Sequence, residues 1–241
     1  MKKFKRKIIA GAVFFGCLAA AICGGAVISE KSESIPTSVS GLEEEPPVII
    51  LDAGHGGFDG GCVSVDGVPE KGINLSILLR LRDLLQISGY KVEVTRDSDI
   101  SIHDSGIEGL ANQKSSDMDN RLALFNKYDN AVCISIHQNQ FTDPIYNGAQ
   151  MFYSATDSRS EALAKSLQKS FTEILQPDNN REIKLCGKEL FLCYFSENPT
   201  VMAECGFLSN PEEAALLNTE EYQQKIAMTI FAGLSNYLNN Q

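Results

Sequence analysis

From Val48 onward, short apolar runs alternate with longer stretches in which apolar residues recur every three or four positions. Residues 48–51 form an uninterrupted apolar run, the pattern of a strand covered on both faces. Ile73, Ile77, Leu81, Leu84 and Leu85 then share one helical stripe, with Arg80, Arg82 and Asp83 on other faces. That helix is expected to stop near Ser88-Gly89, with Gly89 as its cap. Residues 91–95 predict a second strand, 97–120 a long polar loop, 121–128 a short helix, 131–137 a third buried strand and 149–153 a fourth. Residues 160–175 predict a helix with Leu163, Leu167, Phe171 and Ile174 on one stripe. Residues 190–194 and 201–204 read as further strands, and 212–217 and 222–238 as closing helices. The alternation predicts an α/β fold: a single domain with a mostly parallel or mixed twisted sheet and helices on both faces.

The N-terminus changes the picture of where this domain works. Lys2, Lys3, Lys5, Arg6 and Lys7 precede an uncharged run from Ile8 to Ile28. A basic flank before an apolar run of that length reads as a signal peptide or an N-terminal membrane anchor over residues 1–28, with the remainder on the outer side. Gly24-Gly25-Ala26 resembles a cleavage site, so the leader reading and the anchor reading both stand. Residues 29–47, rich in Ser, Glu and Pro, lack the apolar content to form a core and read as a flexible linker. Residues 48–241 then read as one domain, the catalytic domain if the candidate chemistry below holds.

The net charge is −10, and it becomes more negative once the five leader cations are set aside. Such a surface repels phosphate backbones, so no nucleic-acid partner is expected. Cys62, Cys133, Cys186, Cys193 and Cys205 follow the leader. Their odd number and the absence of a C-x-x-C knuckle favour buried, reduced thiols.

Candidate chemistry gathers where predicted strands end. His55 follows the first strand in Asp52-Ala53-Gly54-His55-Gly56-Gly57, where glycines permit a sharp turn and close approach. His137 ends the third strand, on the same parity as Cys133 and Ser135. Glu204 interrupts an otherwise apolar strand, where a carboxylate is costly unless a metal, a hydrogen bond or a proton stabilises it. Glu70, just before the first helix, reads on its own as a carboxylate drawn to the helix N-terminus; two strand-end histidines add a ligand reading. His103 lies in the long polar loop and is not taken as a ligand. Arg96 and Arg121 stand equally as contacts for a substrate carboxylate or as packing residues.

LDAGHGG (51–57), the EK.INL pattern (70–75), SIHQN (135–139) and ECGFLSN (204–210) together resemble the zinc-dependent N-acetylmuramoyl-L-alanine amidases of bacterial cell walls. The resemblance runs in order from about Val48 to the C-terminus. Residues 96–121 look like the sporulation and germination branch, whose members help form muramic-δ-lactam in spore cortex.

The resemblance implies Zn2+ held by His55, Glu70 and His137, with Glu204 catalytic. It also implies peptidoglycan glycan strands with stem peptides as substrate, and an exported location at the outer face of the membrane or in the wall. The membrane would be met through the N-terminal segment, and the need for an activating protein partner stays open. Gln140 departs from the small residue many members carry there. The stretch between His137 and Glu204 leaves no room for a long blocking helix. A zinc carboxypeptidase or aminopeptidase acting on wall peptides, or a non-catalytic membrane-tethered metal-binding module, are the alternatives.

Overall fold

The computed structural model describes residues 45–240. The leader or anchor, and all of the linker before Glu45, lie outside the described residues. Along the chain the elements are β1 (Val48–Ala53), α1 (Glu70–Ile87), β2 (Val92–Val94), α2 (Leu110–Phe125), β3 (Ala131–Asn139) and β4 (Gln150–Tyr153). They continue with α3 (Arg159–Ser170), β5 (Lys184–Leu185), α4 (Phe191–Phe195), β6 (Thr200–Phe207), α5 (Pro211–Leu217) and α6 (Glu220–Leu238).

The strands form one six-stranded sheet in the order β2-β1-β3-β6-β4-β5. Every neighbouring pair is parallel except β4 and β6. The period-2 alternation of a strand divides its side chains between two cores. Ile49, Leu51, Ile134, Ile136 and Val201 face the layer that holds α1, α3 and α6. Ile50, Ala131 and Cys133 face the other layer, with Phe125 of α2 and Leu192 of α4. Each fully buried Leu or Ile side chain contributes about 1.5–3 kcal/mol of transfer free energy, so these two layers fix the sheet between them.

Several elements differ from the sequence-based expectations. The polar loop ends at Gly109, whose φ of 84° closes it. Residues from Leu110 then form α2. The residues this helix buries are Asp117, Arg121 and Phe125. A helix that turns charges toward the sheet leaves no apolar stripe to read. Residues 190–194 are not a strand: β6 already has both neighbours, and the run closes instead into α4, which buries Leu192 and Cys193. A short apolar run has no periodicity to separate the two outcomes. The third long helix ends in a π turn at Phe171–Leu175. The wider turn carries Ile174 out of the stripe, leaving it 59% exposed while Phe171 is fully buried. The two-residue β5 is too short to leave a pattern.

From β1 the chain passes through α1 to β2 on one side, whereas β3 lies on the other side of β1. The crevice above the C-terminal ends of β1 and β3 is therefore a topological switch point, where open α/β sheets place ligands.

Candidate active site

His55 begins the loop that leaves β1, and it has φ of 63°, the one non-glycine positive φ among the described residues. That left-handed conformation costs on the order of 1–3 kcal/mol, and the surroundings enforce it. Arg121 donates to His55 O (2.8 Å) and Ala53 O (2.8 Å), and Arg96 donates to Ala53 O (2.9 Å) and Gly54 O (3.0 Å). Both arginines are buried. Of the two readings open for them, packing is the one the structure supports: every guanidinium nitrogen of both is bonded to a protein acceptor, and together they staple the loop, although Arg121 also borders the cleft. Arg121 also pairs with Asp52 at 2.6 Å and Asp117 at 2.7 Å. Asp52 in turn accepts from Thr95 (2.7 Å) and Ser135 (2.6 Å). Burial would push the Asp52 carboxyl up, but the Arg121 guanidinium and the hydroxyls outweigh it and hold it below the usual range.

Glu70 is the first residue of α1, following Pro69. Its Oε1 lies 3.0 Å from His55 Nε2, 3.1 Å from His137 Nδ1 and 3.1 Å from Asn74 Nδ2. Its Oε2 accepts from the Cys62 backbone N–H (3.0 Å) and thiol (2.5 Å). Burial opposes the charge on Glu70, yet the hydrogen bonds from His137 and His55 prevail and hold its carboxyl far below the usual range. For His137 burial lowers the pKa, and the hydrogen bond to Glu70 more than reverses that. His55 Nδ1 is fixed by Asp59 at 3.0 Å. Burial would raise Asp59, but its bond to His55 brings it to about 2, so it is a carboxylate orienting an imidazole.

Gly54 of the first motif and Gly61 in the loop that follows it make room for this meeting. A Cβ on Gly54 would overlap the His137 ring, and one on Gly61 would lie 2.7 Å from both the Glu70 carboxyl carbon and His55 Cδ2.

His137 and Glu204 are register partners on β3 and β6, so their side chains leave the same face of the sheet. Glu204 sits on an interior strand, not at an edge. Its Oε2 is buried and has no hydrogen-bond partner. Burial pushes its carboxyl up to about 7; the His137 imidazole pulls it down and the Glu70 charge pushes it up. The cleft these residues line, about 280 Å3, opens toward α2 and α4.

The four residues singled out in the sequence thus converge. One donor atom each from His55, Glu70 and His137 lies within 4.8 Å of the others. Contacts of 3.0 and 3.1 Å are close to the roughly 3.3 Å edge of a tetrahedron with bonds of about 2 Å. Two imidazoles and a carboxylate are a zinc-type donor set that leaves a position open. An unpartnered carboxylate oxygen of Glu204 stands on the neighbouring strand, so the residues fit the metal. His103 is elsewhere, bonded to Ser101 Oγ at 2.8 Å. Asp59, which orients His55, and Cys62 and Asn74, which orient Glu70, were not legible in the sequence. Neither was Glu213, whose buried carboxylate accepts from Phe207 N (2.7 Å) and Gly148 N (3.0 Å) and anchors the end of β6. A capping position in Asn210-Pro211-Glu212-Glu213 was the available signal. Among the described residues the five cysteines are free; Cys133, Cys186, Cys193 and Cys205 are buried, as expected, whereas Cys62 is half-buried and bonded to Glu70.

An α/β sheet with a His-Glu-His cluster able to hold a cation and a half-buried carboxylate at its switch point is the arrangement that a metal-assisted hydrolase uses. Residues 49–236 match the Amidase_3 family, N-acetylmuramoyl-L-alanine amidase, and the chain belongs to that family. It is 35% identical over 194 residues to the germination-specific N-acetylmuramoyl-L-alanine amidase of Bacillus subtilis, covering 80% of this chain and 81% of that one. It is 26% identical over 236 residues to the amidase AmiA of Escherichia coli, covering 80% and 76%. Among solved structures it resembles the CwlD amidase of Clostridioides difficile, determined in complex with the GerS lipoprotein. There the TM-score is 0.77 and the identity 38%, covering 81% of this chain and 100% of that one.

Proposed function

We propose that this chain is a zinc-dependent amidase that hydrolyses the bond between the lactyl group of N-acetylmuramic acid and L-alanine in peptidoglycan. One observation carries the reading: three donor atoms, from the loop after β1, from α1 and from β3, lie within 4.8 Å of one another, and the unpartnered Glu204 oxygen stands on the neighbouring strand. His55 Nε2, Glu70 Oε1 and His137 Nδ1 would hold the ion. Bound there, zinc supplies Lewis acidity, polarising the amide carbonyl and acidifying water.

The chain's own residues do the rest. Asp59 keeps the His55 ring turned inward. Cys62 and Asn74 hold the Glu70 carboxylate at both of its oxygens. Glu204 takes the proton of the attacking water at Oε2 and returns it to the leaving L-alanine nitrogen. Glu204 is half-buried among fully buried neighbours on β6, so water reaches its carboxylate only from the cleft.

The branch is proposed on the same footing. The similarity to the germination-specific amidase of B. subtilis and to CwlD supports action on spore cortex in muramic-δ-lactam formation, on the outer face of a membrane reached through the N-terminal segment. Because that CwlD was solved with a lipoprotein, a protein partner is proposed for this chain too.

The test is digestion of purified peptidoglycan, with products identified by mass. Release of whole stem peptides is expected; shortened stems still attached to sugar would mean a peptidase. Glu204→Gln should retain zinc and lose at least about a hundredfold in kcat, the scale of general acid–base catalysis. Near-normal turnover by that variant would remove Glu204 from the mechanism.

A further inference from the structure

The thiols of this domain fall into different surroundings. Cys133 packs with Phe125 on one side of the sheet, Cys205 lies in the layer of α1, α3 and α6, and Cys62 donates to Glu70. Cys186 and Cys193 share a separate buried cluster together with Met202. Both are tied to the same stretch of β4. The backbone N–H of Cys186 donates to Tyr153 O (3.0 Å), and the Cys193 sulfur lies 3.6 Å from Phe152 O. The two side chains also meet, the Cys193 thiol donating to the Cys186 sulfur. That bond holds the Cys186 thiol below its ordinary range; the same bond, with burial, pushes the Cys193 thiol far above it.

The chain between these two cysteines is a wall of the cleft. Glu189, Leu190, Phe191 and Leu192 line it together with His55, His137 and Glu204. Met202 lines it too, and stands two residues before Glu204 on β6, on the same face of the strand. The thiols thus bracket the wall in sequence and pack against a residue that the cleft itself touches. Residues 186–190 are not part of a helix or strand. Their turn is closed by Leu190 N donating to Gly187 O (3.1 Å), so a cross-link at its two ends would add what the backbone lacks.

We propose that Cys186 and Cys193 are a modification site: an oxidisable dithiol whose intramolecular disulfide ties the end of β5 to α4 and fixes the wall of the cleft. The exported location proposed above is one where disulfides form and persist. Cys186 is 5% exposed and Cys193 0%, so Cys186 is the sulfur an oxidant reaches. Its thiolate attacks one sulfur of a disulfide-bearing oxidant, and a thiolate leaves. With Cys186 capped, the neighbour that kept the Cys193 proton in place is gone. Cys193 then gives its proton to solvent and attacks the Cys186 sulfur of the mixed disulfide, and the second thiolate leaves. Two thiol protons are lost, and two electrons reduce the oxidant to thiols. The pairing itself does not rest on the amidase reading; its effect on turnover does.

The experiment treats the full chain with excess oxidised glutathione or with dithiothreitol, blocks remaining thiols with a maleimide, and maps tryptic peptides by mass. Lys184 and Lys188 place the two cysteines in separate peptides. These are expected joined by a disulfide after oxidation and separately blocked after reduction. Because the second peptide also holds Cys205, fragmentation assigns the partner. The oxidised protein should melt about 5–10 °C higher, the scale of closing a short loop in a domain of this size. Cys186→Ser should show neither the bond nor the shift. On oxidation KM for peptidoglycan should fall a few-fold with kcat unchanged, since the bond leaves the His-Glu-His cluster alone. Both cysteines blocked after oxidation, or a bond to Cys205 or Cys62 instead, would overturn the site. A Cys186–Cys193 bond that moves neither the melting point nor KM would overturn its hold on the cleft wall. The bond and the melting shift in a chain that does not digest peptidoglycan would sink the amidase reading and leave the modification site standing.

Discussion

Two glycines separate what a small residue does for the site from what it does for a helix. Gly54 has the His137 ring where a side chain would be, and Gly72 in α1 has nothing within 4 Å. Gly54→Ala forces the imidazole away from Glu70. It should reduce zinc content several-fold, read by metal analysis of the purified protein, while circular dichroism still reports a folded domain. Gly72→Ala should leave zinc alone and raise stability by about 0.5–1 kcal/mol, because it removes backbone freedom from the unfolded chain. Equal zinc content in the two variants would show that the ring does not depend on the space at Gly54. The residue scale also shows what a sequence carries. His55, His137 and Glu204 were legible because each is an anomaly in its own run: a polar group ending or interrupting an apolar strand. Asp59, Cys62 and Asn74 were not, since nothing local tells a residue bonded to His55 or Glu70 from an ordinary turn or helix residue.

At the scale of elements, the two clear failures of pattern reading lie on one face of the sheet. Both α2 and α4 cover the side toward which the site opens. The strands and the α1, α3 and α6 layer were legible because an apolar core imposes its period on the sequence. On the other face α2 offers Asp117 and Arg121 to the sheet, and this polar contact is what locks the β1 loop. Removing Arg121 would leave Asp52 buried and unpaired among Thr95 and Ser135. Arg121→Ala should therefore cost about 3–5 kcal/mol in denaturant unfolding, and activity should fall because His55 O and Ala53 O lose their donors. The pH dependence follows from Asp52, whose folded pKa is lowered from 3.8. A depressed carboxyl adds stability above its unfolded value and loses it as pH falls through the folded one. The wild type should thus lose this contribution below about pH 4, and the acid slope should be shallower in Arg121→Ala. Parallel stability curves for the two proteins across that range would refute the role given to the pair.

For the whole molecule, the decisive property is that the donors come from three elements far apart in sequence and meet only in the folded sheet. Metal binding is then linked to folding, since an unfolded chain offers no such cradle. With free zinc at about a hundredfold its dissociation constant, the native state gains about 2.7 kcal/mol. For a domain of this size that is a shift of roughly 5–10 °C in Tm. Chelation should remove that increment from the wild type and leave His137→Ala unchanged, because that variant has already lost it. Protons compete for the same atoms. Burial pulls His137 down, but Glu70 holds its pKa above 6.5 when no cation is bound. A group so raised stays protonated to higher pH, so zinc stabilisation should be full in mild alkali and begin to fade before pH 6.5 is reached from above. Melting curves at a series of pH values, each with and without chelator, measure this directly. A chelator effect that grows as pH falls would mean that protons and metal do not share the His137 nitrogen.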